Sequence, residues 1–115
     1  MMTLQSKLKW FGAQIASVCA RTYHYCRPNK YSLPYVVWAE DSEGDSFQAD
    51  NRKGEQVITG SLDYFTKTEY DSVIDDIQDC LDVNRVGWNL ESVQFEPETG
   101  LIHYEWRWSL GKVQD

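Results

Sequence analysis

Catalytic equipment is scarce in this sequence. It holds only two histidines, His24 and His103, and neither stands in a recognisable catalytic setting. It has no glycine-rich phosphate loop, no nucleophile elbow and no Walker sequence. A catalytic site needs convergent polar groups with matched pKa values, so the reading is of a non-enzyme with no catalytic residue, metal or cofactor. Basic charge is also short: 11 Lys and Arg against 18 Asp and Glu, a formal net charge of −7. Proteins that grip nucleic acid do so by neutralising phosphates. The acidic balance instead suits plain solubility, or a surface that DNA slides past without sticking. No apolar run approaches the ~20 residues of a membrane span. Lys7 and Lys9 precede an apolar stretch, Trp10 to Ala20, and Val18-Cys19-Ala20 faintly echoes a signal cleavage site. Gln14 and Ser17 interrupt that stretch with helical spacing, which argues against a signal peptide. Three cysteines at irregular spacing make no disulfide framework and fit a reducing cytoplasm.

What the sequence does have is aromatic residues: five Trp, seven Tyr and four Phe in 115 residues. Such a content points to β-structure and to adhesive surfaces. The length predicts one domain, 1–115, able to bury roughly two-thirds of the surface its unfolded chain exposes.

The patterning predicts six elements. A helix is expected from Thr3, as N-cap, to Arg21, with Leu4, Leu8, Phe11, Ile15 and Val18 on one face and Lys7 and Gln14 off it. Gly12 weakens it, since Gly costs ~1 kcal/mol against Ala inside a helix. A strand follows Pro34, Tyr35 to Ala39, its apolar run implying cover on both faces. Glu40 to Gly54 reads as a long acidic loop with a short strand near Phe47. In the strand Glu55 to Thr66, the face of Ile58, Gly60, Leu62, Tyr64 and Thr66 is expected to meet the core. A second helix is expected from Thr68 to Asp82, with Thr68 as N-cap, Asp71 as its capping-box partner, and a stripe of Tyr70, Val73, Ile74, Ile77, Cys80 and Leu81. The chain closes with a hairpin, Trp88 to Phe95 and Leu101 to Leu110, joined by Glu96-Pro97-Glu98-Thr99-Gly100. The order α-β-β-α-β-β predicts an α+β fold: a mostly antiparallel sheet of about four strands with two helices packed on one face.

Three clusters bear on function. Cys19, His24 and Cys26, with Cys80 as a distant fourth, are too loosely spaced for zinc, and buried free thiols explain them better. Asp71, Asp75, Asp76, Asp79 and Asp82 lack the spacing of an EF-hand. They read as a solvated helix face, or as a face that repels DNA in a channel. The basic and aromatic run Arg21 to Arg27, with Lys30 and Tyr31, could stack on bases. In so acidic a chain a contact with a neighbouring subunit through Tyr23, Tyr25 and Tyr31 is the better reading.

Several stretches, in this order, resemble the tail-terminator and tail-completion (head–tail joining) proteins of long-tailed bacteriophages. They are Leu33-Pro34-Tyr35-Val36-Val37-Trp38, the acidic loop reaching Phe47-Gln48-Ala49-Asp50-Asn51, Leu62-Asp63-Tyr64-Phe65-Thr66-Lys67 leading into Glu69 to Leu81, and the hairpin Glu91 to Leu110. The resemblance covers about residues 33–110. It implies a structural virion protein, made in the bacterial cytoplasm, that caps the head-proximal end of the tail tube as a homo-oligomeric ring, typically a hexamer. Its partners would be further copies of itself, the major tail tube protein and a head-completion or connector protein, with DNA only passing through the lumen. On that reading Glu40, Asp41, Glu43, Asp45, Phe47, Asp50 and Arg52 form the candidate ring or tube contact loop. Asp71, Asp75, Asp76 and Asp79 are then the candidate lumen face. The alternatives are another neck protein of similar fold and a monomeric acidic binding module, a DNA mimic or host-protein inhibitor.

Overall fold

The computed structural model describes residues 3–44, 48–49, 52–53 and 56–111, with backbone alone at 48–49 and 52–53. Its elements are α1 (Leu4–Ala16), β1 (Thr22–His24), β2 (Tyr35–Glu43), β3 (Gln48–Ala49), β4 (Arg52–Lys53), β5 (Ile58–Thr66), α2 (Ser72–Val83), β6 (Gly87–Glu96) and β7 (Leu101–Leu110). β3 and β4 pair only with each other, and the other strands form one sheet in the order β1-β2-β5-β7-β6. The fold is α+β as expected, but the sheet is mixed and has five strands, because β1 pairs in parallel with β2. A three-residue strand is too short to leave a period-2 pattern, and it sits in the basic and aromatic run.

The core face follows from the alternation. Ile58, Gly60, Leu62, Tyr64 and Thr66 all point inward from β5. Trp106, Trp108 and Leu110 do so from β7, Val36 and Trp38 from β2. Phe11 of α1 stacks on Trp108 at 4.3 Å between ring centroids and meets Trp38 edge-on at 5.2 Å. Such pairs add ~0.5–1.5 kcal/mol to the area they bury. Three indoles also donate hydrogen bonds: Trp106 Nε1 to Gln78 Oε1 (3.0 Å), Trp108 Nε1 to the Ser61 carbonyl (2.8 Å) and Trp88 Nε1 to Asp82 Oδ1 (2.8 Å).

Close approach explains Gly12. A Cβ there would stand 2.8 Å from the Trp38 ring, so glycine is what lets α1 settle on the sheet. Lys7, expected off the apolar face, is only 2% exposed. Its stem packs inward while Nζ donates to the Gln56 carbonyl at 3.0 Å, tying α1 to the entry of β5. Thr3 is the N-cap, accepting from Ser6 N–H at 3.1 Å. The helix ends at Ala16, five residues before the expected Arg21, because the chain turns there to feed β1. Thr22 Oγ1 donates to the Cys19 carbonyl in that turn.

α2 also starts later than expected. Asp71, not Thr68, is its N-cap, accepting from Val73 N–H at 2.9 Å. Tyr70 takes a positive φ of 58° and is 92% exposed, so it is no part of the apolar stripe. Asp71 wins because its second oxygen also accepts from the core hydroxyls of Tyr64 (2.6 Å) and Thr66 (2.8 Å). A carboxylate can serve all three donors, whereas the threonine hydroxyl cannot.

Candidate interaction surface

With both helices on one side, neither covers the other face of the sheet. The cross-strand registers line up its side chains in rows. One row is aromatic: Tyr31 meets Tyr35 edge-on, Tyr35 stacks on Phe65 at 4.6 Å, and Phe65 stacks on His103 at 4.3 Å. Arg27 lies over the Tyr31 ring, 3.8 Å from its centroid. This row, rather than cover by another layer, buries Tyr35, while Val37 on the same face stays half-buried. The next row holds Asp63, whose carboxylate pairs with His103 Nε2 at 2.7 Å. Burial raises the Asp63 pKa and the His103 contact only partly offsets it. A third row joins Arg107 to Asp41 through Nη1 and Nη2 of the guanidinium, with Thr59 Oγ1 accepting from Nη2 at 3.0 Å. That pair holds the Asp41 carboxyl below its ordinary value.

The expected contact loop is therefore partly strand. β2 runs on to Glu43, carrying Glu40, Asp41 and Glu43 in the sheet opposite β5, with a bulge at Asp41. The bulge re-aims these acids, a feature that composition alone does not reveal. Arg52 falls in β4, with its side chain outside the described residues. Asp45, Phe47 and Asp50 also lie outside them.

Glu40 leads to the β1 edge. The His24 ring is stacked between Trp38 and Tyr25, 3.8 Å from each centroid. His24 Nε2 lies 2.7 Å from Glu40 Oε1, and the Tyr25 hydroxyl donates to the other oxygen. Partial burial pushes the Glu40 pKa up, but these two hydrogen bonds more than compensate and hold it low. Tyr25 reaches this position with a φ of 76°. Of the three tyrosines expected to meet a neighbour, Tyr25 and Tyr31 are exposed and Tyr23 is half-buried.

On α2, Asp75, Asp76 and Asp79 are exposed as expected. Asp71 does not belong with them, since it caps the helix and binds the core hydroxyls. Burial raises its pKa, but the donors from Tyr64, Val73 and Thr66 outweigh that and lower it. Cys19 is buried, Cys26 exposed and Cys80 half-buried. Among the described residues, no three His, Cys, Asp or Glu converge as metal ligands. No helix among them is long and apolar enough to cross a membrane.

The opposite edge is the feature that sequence reasoning missed. β6 is ten residues long, pairs among the described residues only with β7, and exposes Leu90 (41%), Val93 (50%) and Phe95 (62%). All three point to the helix-bearing side, opposite Trp106, Tyr104 and Ile102. Phe95 and Ile102 also floor a hollow of about 460 Å³ beside Lys67, Glu69 and Gly100. A signal was present in the sequence: the apolar alternation Trp88, Leu90 slips by one before resuming at Val93, Phe95, and the register breaks at that point, between Leu90 and Ser92.

No protein-family model matches the chain, and no curated protein matches it either.

Proposed function

We propose that the chain is a structural subunit of a long-tailed bacteriophage, forming a ring that caps the head-proximal end of the tail tube. The ring ends tube polymerisation and offers the surface on which the head-completion protein docks. Two supports stand side by side. The first is the ordered resemblance described from the sequence, whose segments supply β2, β5, α2 and the closing hairpin. The second, which carries most weight, is a ten-residue edge strand with three exposed large apolar side chains on a chain of 115 residues. Large apolar side chains exposed together on one strand mark an interaction surface. The polar and aromatic face of the sheet provides a further surface for tube or connector contacts.

The test is assembly. The purified chain, alone and mixed with the tube protein, is expected to form rings visible in negative stain. Phage lacking the gene are expected to make overlong or unjoined tails. A chain that stays monomeric in every condition, tube protein included, refutes the proposal. A second reading draws on the exposed Asp75, Asp76 and Asp79 of α2: an acidic module that binds a basic protein. It predicts tight one-to-one capture of a DNA-binding protein and no self-assembly.

A further inference from the structure

Charge is divided along this chain, although Glu40 is bonded to His24 of β1 and to the Tyr25 that follows it, and Lys67 lies beside Phe95 at the far end. The first 39 residues contain five of the 11 Lys and Arg and none of the 18 Asp and Glu. Every acid lies from Glu40 onward. The basic segment builds α1 and β1, which pack together at one end of the sheet. The acidic remainder places α2 against β6 at the other end. From Val86 to Trp106 there are four Glu and no Lys or Arg, and from Arg21 to Pro34 there are two Arg and one Lys and no acid.

From this we infer that β6 of one copy pairs with β1 of the next, antiparallel, so that the sheet runs on from subunit to subunit. The inference rests on the ring reading and names the interface that builds it. Strand directions allow it: β1 runs with β2, while β6 runs against both. The registers carry one level straight across the sheet through Thr22, Val36, Tyr64, Tyr104 and Val93. Pairing without a shift sets Thr22 of the next copy opposite Val93 and brings its Arg21 towards Glu96. β1 spans only about a third of β6, ~10 Å against ~33 Å, so it covers Glu91 to Val93 and leaves Gly87 to Leu90 beyond one end and Gln94 to Glu96 beyond the other. The same placement lays the exposed Val93 and Phe95 against the neighbour's β1 and the end of its α1.

Like edges are excluded by the same charges. Two β6 strands would bring the acidic pair Glu91 and Glu96 near its own copy, and two β1 edges would bring the flanking Arg21 near its own copy. Unlike edges make a head-to-tail contact, the kind that closes into rings when its rotation allows.

Two exposed-residue variants test this in the full-length chain. One reverses the basic edge (Arg21→Glu with Lys30→Glu), the other the acidic edge (Glu91→Lys with Glu96→Lys). Each alone is expected to raise the concentration for half-assembly at least ~10-fold in sedimentation velocity, with an unchanged thermal melt. An equimolar mixture is expected to restore assembly with the two variants alternating, as is one chain carrying all four changes. If wild-type rings form and both variants assemble as well as wild type, or neither the mixture nor the fourfold variant recovers, this interface is wrong while the ring reading stands. If the wild type itself never assembles, both fall.

Discussion

Replacing Asp71 with alanine removes one carboxylate that serves three donors in different parts of the fold. Oδ1 caps α2 at Val73 N–H, and loss of such a cap costs ~1 kcal/mol. Oδ2 accepts from the hydroxyl of Tyr64, a residue with no exposed surface, which would be left without its acceptor. An orphaned buried hydroxyl costs ~1–3 kcal/mol. Thr66 loses its acceptor as well, although its oxygen still accepts from Thr68 N–H. The whole comes to about 2–4 kcal/mol against a total stability of ~5–15 kcal/mol for a domain of this size. Urea unfolding followed by tryptophan fluorescence reads it directly, with the loss appearing in the midpoint at constant m. The partner change Tyr64→Phe is expected to be costly in the wild type and nearly free in the Asp71→Ala background, a coupling of ~1–2 kcal/mol. Thr68→Ala serves as the control: it is exposed, caps nothing, and should cost under ~0.5 kcal/mol. A cost below ~1 kcal/mol for Asp71→Ala, or additive effects with Tyr64→Phe, would refute the assignment of Asp71 as the link between α2 and the sheet.

Gly60→Ala should destabilise by ~3 kcal/mol or more in the same assay, because its Cβ would lie 2.2 Å from the Ala39 carbonyl oxygen and 2.4 Å from the Trp108 ring. Near-wild-type stability there would show that β2 and Trp108 yield more easily than their packing implies. Stability is also expected to fall from pH 5 towards pH 2. Asp41, Glu40 and Asp71 have folded pKa values below their ordinary ones, so their contribution is complete above about pH 4 and is lost as pH drops through the folded values. Asp63, raised by burial, has the opposite sign: its contribution is present in acid and is lost as pH rises beyond about 4. A net loss of stability on acidification is the expected outcome, and a urea midpoint that rises on acidification would contradict it.

Much of the candidate surface was legible as residue types. Tyr25 and Tyr31 belong to a basic-aromatic run and do lie exposed, and Asp75, Asp76 and Asp79 fall off the apolar stripe of α2. Leu90, Val93 and Phe95 were not legible as surface, because an apolar alternation in a strand reads as core unless the covering layer is known to stop short. Arg107 and Asp41 could not be paired either, since they are 66 positions apart and meet only through the registers of β2, β5 and β7.

The sequence by itself determined the periodic elements: the face of β5, the face of β7, the inward side of α1 and the closing hairpin. Periodicity is a local property, and hydrophobic burial enforces it whatever the partners are. Tertiary structure alone decided which residues the elements meet. It gave β1 its parallel partner, drew Lys7 inward to the Gln56 carbonyl, moved the cap of α2 from Thr68 to Asp71, and left β6 as an open edge. Each of these depends on a donor, acceptor or strand brought close by chain closure, and side chains distant in sequence carry no mark of that proximity.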